Sequence, residues 1–172
     1  ERQMAQVPAG MERVVVIFDG IFSMRGDNCP LVEIERVVRK HEGRFRDGVI
    51  TVMDDSHGIV AYGKTGRGTE EHTGARVDVF IGTLGKAFGV MGGYTAAKQP
   101  IVDWLRQRGR PFLFSSALTP ADVAACIKAV DILERSTERV ERLWANAATF
   151  QGAMRALGFD LGVTQTPISP VI

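Results

Sequence analysis

Lys86 stands in Gly82-Thr-Leu-Gly-Lys-Ala-Phe-Gly89, among the small residues Gly82, Gly85, Ala87 and Gly89. Neighbours without bulk let another molecule come close to a lysine amine. A phosphate-cradling loop of the GxxxxGK[ST] type is excluded by spacing: Phe80 occupies the first glycine position and Ala87 the hydroxyl position. A lysine so placed suits a Schiff base with a carbonyl cofactor, which requires the neutral amine and is favoured by partial desolvation or a nearby cation.

Such a cofactor, if it is pyridoxal phosphate, needs an acid facing its ring, because it works as an electron sink only while the pyridine nitrogen stays protonated. Asp54, in Asp54-Asp-Ser-His57, is the candidate partner through a charge-assisted hydrogen bond. His57, three residues on, can hydrogen-bond the phenolic oxygen. Thr83 and Ser115 or Ser116 offer hydroxyls to a phosphate, joined by backbone N–H groups of the glycine segment. Each residue also has a plainer reading: Asp54 as a turn cap, His57 on a loop carbonyl, Lys86 in solvent. Residue types alone leave both open.

What could bring these groups together is a sheet whose strands end beside them. Residues 13–19 form a β-branched run, the pattern of a strand buried on both faces of a parallel sheet. Residues 31–41 carry Leu31, Ile34, Val37 and Val38 at helical spacing, with Pro30 before them and Gly43 beyond. Strands are predicted at 49–53, running into Asp54, and at 77–81, running into the Lys86 segment. Residues 92–97 return antiparallel across the latter. Residues 63–74 read as a polar, Gly-rich loop, 101–107 as a helix and 111–114 as a strand ending at Ser115 and Ser116. Thr119, Pro120 and Asp122 have the types of an N-cap, a first helical position and a first-turn acid. The helix they start is predicted to run to Gly158, with a weak point at Ser136 and Thr137. Alternation of strands and helices argues an α/β fold with a mainly parallel sheet and functional residues at strand carboxyl ends.

Lysine and arginine number 21 against 20 aspartates and glutamates. That balance lacks the electrostatic footprint of a nucleic-acid or anionic-membrane binder. Cys29 and Cys126 are far apart and outside CxxC spacing, so neither a metal site nor a disulfide framework is expected. No apolar run reaches the length of a membrane span and no signal-peptide layout opens the chain, so a cytoplasmic location is expected. Both ends read as cut, as in a piece of a longer protein.

Asp19-Gly-Ile-Phe-Ser-Met24, Asp54-Asp-Ser-His57, Gly66-Arg-Gly68, Gly82-Thr-Leu-Gly-Lys86 and Gly92-Gly-Tyr94 together resemble the α-oxoamine synthases, which condense an amino acid with an acyl-CoA. The resemblance implies pyridoxal 5′-phosphate as cofactor and part of the fold-type I large domain over residues 1–118. Connecting helices over 119–160 and the start of a C-terminal small domain over 161–172 would follow. It makes Lys86 the Schiff-base lysine and the base that removes the substrate's α-proton, Asp54 the pyridinium partner and His57 the contact to the phenolic oxygen. Ser23 would touch the cofactor and Thr83 its phosphate, while Ser115 and Ser116 would reach the phosphate of the partner subunit's cofactor in a homodimer. Within the family, Trp104-Leu-Arg-Gln-Arg108 and Arg110-Pro-Phe-Leu-Phe-Ser115 look most like the glycine C-acetyltransferase branch. That branch joins glycine and acetyl-CoA to 2-amino-3-oxobutanoate in threonine and glycine metabolism, without decarboxylation. The alternatives are another synthase, such as the one that makes 8-amino-7-oxononanoate, or a non-catalytic remnant serving as an interaction module. The family's ring-stacking aromatic and carboxylate-binding arginine would lie outside this chain.

Overall fold

The computed structural model describes residues 1–172. A single turn of helix, α1 (Arg2–Ala5), leads into β1 (Val14–Asp19), followed by a short hairpin of β2 (Ile21–Phe22) and β3 (Asp27–Asn28). Helix α2 (Leu31–His41) and a 3-10 turn at Glu42–Arg44 return the chain to β4 (Val49–Asp54). Helix α3 (Thr69–Thr73), β5 (Val79–Thr83) and β6 (Gly93–Ala97) come next, then α4 (Gln99–Arg108), α5 (Arg110–Phe114), α6 (Pro120–Arg135) and α7 (Glu138–Ala156).

The main sheet has the order β1-β4-β5-β6. β1, β4 and β5 are parallel and β6 is antiparallel to β5. Under the sheet, α2 lays Leu31 and Ile34 against Phe18, Met53 and Phe80, with Cys29 and Ala75 completing a small core. Burial of such side chains is the main favourable term here, about 1.5–3 kcal/mol for each large apolar group fully removed from water.

Several elements depart from the sequence reading. β1 is half-buried on one face and open on the other, with Val15 51% and Ile17 73% exposed. Successive strand side chains alternate in direction, and no element of this chain covers that side. β5 starts at Val79, not at 77, because Asp78 is engaged sideways. Its carboxylate accepts from Thr51 N–H and Oγ1–H, each at 2.9 Å, and its own N–H donates to Thr51 Oγ1. Loop 63–74 contains α3.

Residues 111–114 form helix α5, not a strand. No strand of the sheet borders them, Pro111 sits in the first turn, and Leu113 N–H donates to Gly109 O, closing a helical turn. The helix predicted to run from Thr119 divides at Ser136, which is extended and accepts Glu138 N–H on Oγ as α7 begins. Its start is as read: Thr119 Oγ1 accepts Asp122 N–H at 3.1 Å. No helix is long and apolar enough to cross a membrane.

Candidate active site

Three parallel strands end side by side. Their register sets Asp19 opposite Asp54, and Asp54 opposite Ile81, two residues before Thr83. Gly20 N–H donates to Asp54 O and Asp55 N–H to Ile81 O, so the ladder continues one residue past each strand. The chain then turns sharply, with Gly58 N–H donating to Asp55 O at 2.9 Å. Inside this turn Asp54 Oδ1 accepts Ser56 N–H at 2.9 Å. The second oxygen, Oδ2, makes no hydrogen bond to the protein and is available to a ligand.

His57 is half-buried on the same turn. Its pKa is lowered, first by burial and then by the charge of Lys86, against the opposing pull of Asp54 and Asp19. The strand register sets Asp19 beside Asp54, with His57 three residues past Asp54 and Lys86 three past Thr83, so the four groups follow three neighbouring strand ends. Replacing Lys86 with Met is expected to raise the His57 pKa, because a lowering charge disappears; proton-detected NMR titration of the imidazole measures it.

Lys86 is exposed in the loop joining β5 to β6 and enters no ion pair. The loop is held without it. Leu84 is buried, its N–H donates to Gly92 O, and Val90 N–H donates back to Leu84 O. Thr83 Oγ1 accepts Gly85 N–H at 3.2 Å and donates to Gly92 O at 3.3 Å. Gly82 is glycine because Tyr94 lies over it: an added Cβ would meet the ring at 2.6 Å.

The donor set fits pyridoxal phosphate: an unpaired primary amine, a carboxylate with one oxygen pinned and one free, an imidazole, and a hydroxyl among backbone amides. Around Gly89 there is open space, and a Cβ placed there would meet nothing within 4 Å. Ser23 is exposed in the hairpin turn that follows β1, at the same end of the sheet. Ser115 and Ser116 are exposed beyond α5, where Ser115 Oγ donates to Pro111 O, and neither hydrogen-bonds a rim residue. A cleft of about 600 Å³ between Phe80, Tyr94 and the end of α6 is lined by none of the rim residues.

Residue types alone do not single out Asp55. It is fully buried, and its carboxylate accepts from Thr69 N–H at 2.7 Å and Thr69 Oγ1–H at 2.6 Å. Burial pushes its pKa up to about 6 despite those bonds. The available signal is strand alternation, which puts adjacent aspartates in different surroundings.

The model of the aminotransferase class I and II family matches residues 1–172. Among curated proteins, the chain is 54% identical over 162 residues to the 8-amino-7-oxononanoate synthase of Fervidobacterium nodosum, covering 93% of this chain and 40% of that protein. It is 50% identical to that of Thermosipho melanesiensis, with the same coverage. It thus spans about 40% of the length of these relatives. Among solved structures, serine palmitoyltransferase of Sphingomonas wittichii superposes with a TM-score of 0.83 at 32% identity, covering 98% of this chain and 41% of that one.

These relatives are α-oxoamine synthases, as the motifs implied. The glycine C-acetyltransferase branch is overturned: the similar curated proteins at 43–54% identity are 8-amino-7-oxononanoate synthases. With the branch go glycine, acetyl-CoA and threonine metabolism. The residues that suggested it lie in α4 and α5, where Trp104 is 63% and Phe114 81% exposed.

Proposed function

The chain belongs to the class I and II aminotransferase family and has the fold-type I form of pyridoxal-phosphate enzymes, and from that premise we propose that it works in an 8-amino-7-oxononanoate synthase. The observation that carries this reading is the 54% identity to the Fervidobacterium nodosum synthase over 93% of the chain. The product's skeleton identifies the substrates. Its terminal methyl and amino-bearing carbons are alanine without its carboxylate. The remainder is a heptanedioyl group, delivered as a coenzyme A thioester. Alanine's α-carbon bonds to the acyl carbon, the thioester C–S bond breaks and coenzyme A leaves as the thiol. The alanine carboxylate leaves as carbon dioxide, so decarboxylation belongs to this reaction.

Pyridoxal phosphate supplies an electron sink for the negative charge developed at the amino acid's α-carbon. Lys86 Nζ would hold the cofactor covalently and, as a free amine, would accept and return a proton at the α-carbon. Asp54, with Oδ1 fixed by Ser56 N–H, would hold the ring-nitrogen proton through its other oxygen. His57 hydrogen-bonds the phenolic oxygen. Thr83 would turn its hydroxyl from Gly92 O to the phosphate while still accepting Gly85 N–H, Ser23 would touch the cofactor, and in a homodimer Ser115 and Ser116 would reach the phosphate of the partner subunit's cofactor. Residues 1–118 then belong to the cofactor-binding domain, 119–160 to connecting helices and 161–172 to the start of the small domain. An intact amine, carboxylate and imidazole on one rim speak against a non-catalytic remnant.

Acyl-donor profiling of the complete protein tests this. With alanine and the heptanedioyl thioester, kcat/KM is expected to exceed that for glycine and acetyl-CoA, or serine and palmitoyl-CoA, by on the order of 100-fold or more. Preference for either other pair would refute the assignment.

A further inference from the structure

Asp55 is a carboxylate at 0% exposure with no cation paired to it. Burying such a charge is costly, and hydrogen bonds recover only part of that cost. Its position is where three segments meet. Gly20 after β1, Gly58 in the turn after β4 and Gly68 before α3 approach so closely that a Cβ on each would lie 2.1, 2.2 and 2.1 Å from a carboxylate oxygen. Thr69, next to Gly68, binds the carboxylate with its N–H and its hydroxyl. The backbone of Asp55 is tied as firmly, with N–H to Ile81 O and its carbonyl accepting from Gly58 and Ile59.

The same loop folds back on the turn through an Ile59–Arg67 bridge and a Val60 N–H to Gly66 O bond. Val60 is held at φ +68, a conformation β-branched residues avoid. Gly66-Arg-Gly68 therefore has a physical reason: Gly68, at φ +85, lets the loop lie on the carboxylate. The element so fixed carries Ser56 N–H, which pins Asp54 Oδ1, and then His57. A shift of this turn would turn both groups.

We propose that Asp55 and Thr69 are positioning residues, a buried clasp that sets Asp54 and His57 at the angle the cofactor's ring requires. This rests on the reading of Asp54 and His57 as cofactor contacts.

The test is pyridoxal-phosphate affinity, by fluorescence titration of the complete protein, beside thermal melting of the cofactor-free form. Thr69→Val keeps the shape and removes the hydroxyl donor, Thr69→Ser keeps the donor, and Asp55→Asn removes the charge. Thr69→Val and Asp55→Asn are expected to weaken cofactor binding roughly tenfold or more, with His57 shifted in the NMR spectrum while the cofactor-free protein still melts cooperatively, at a lower temperature. Thr69→Ser is expected to bind within about twofold of wild type. Wild-type affinity in Thr69→Val would overturn the clasp alone, as would weak binding that follows a collapse of the cofactor-free fold and is not restored by serine. Failure of the wild-type protein itself to bind would instead overturn the reading of Asp54 and Lys86, and the clasp with it.

Discussion

Replacing Lys86 with alanine is expected to abolish the visible band of lysine-bound pyridoxal phosphate and to lower turnover by on the order of 10⁴-fold. Two proposed functions would disappear with one amine: the covalent anchor and the group that moves a proton at the substrate's α-carbon. The fold is expected to survive. The β5–β6 loop is held by Leu84, Val90 and Gly92 through backbone bonds, and Thr83 braces it through Gly85; none of these uses the lysine side chain. Unchanged melting beside a lost band would therefore mark a chemical loss. A variant that kept the band would refute the role given to Lys86.

Asp54→Asn is expected to produce the second largest effect, a fall in turnover of roughly 10²–10⁴-fold with weaker cofactor binding. Asparagine preserves size and can still accept Ser56 N–H, so the turn stays closed. What it cannot do is hold a proton on the ring nitrogen by charge, and without that proton the ring draws electrons poorly. Steady-state kinetics with a cofactor titration measures both parts. A variant with near wild-type turnover would show that Oδ2, free of protein partners, does not face the ring.

Much of this site is legible in the sequence because strands are easy to read where they are continuous and β-branched. Val14 to Ile17 and Val49 to Val52 mark the two strands whose ends deliver Asp19 and Asp54. Thr119 and Pro120 mark a helix start by types that satisfy exposed N–H groups and preset φ. The misreadings have physical causes. A short apolar run such as Phe112, Leu113 and Phe114 has no period long enough to separate strand from helix, and local turn closure at Gly109 decides it. Asp55 is hidden because its meaning depends on Gly20, Gly58 and Gly68, which come together only in the folded chain. The branch of the family is misread from α4 and α5, whose Trp104 and Phe114 are exposed side chains.

Borohydride reduction of the complete protein with bound pyridoxal phosphate, followed by peptide mapping, tests most directly whether Lys86 carries the cofactor. Reduction fixes the cofactor to whichever amine holds it. The expected result is one phosphopyridoxyl label, on the peptide containing Lys86. A label on Lys64 or Lys98 instead, or no stable label on any lysine, would contradict that assignment.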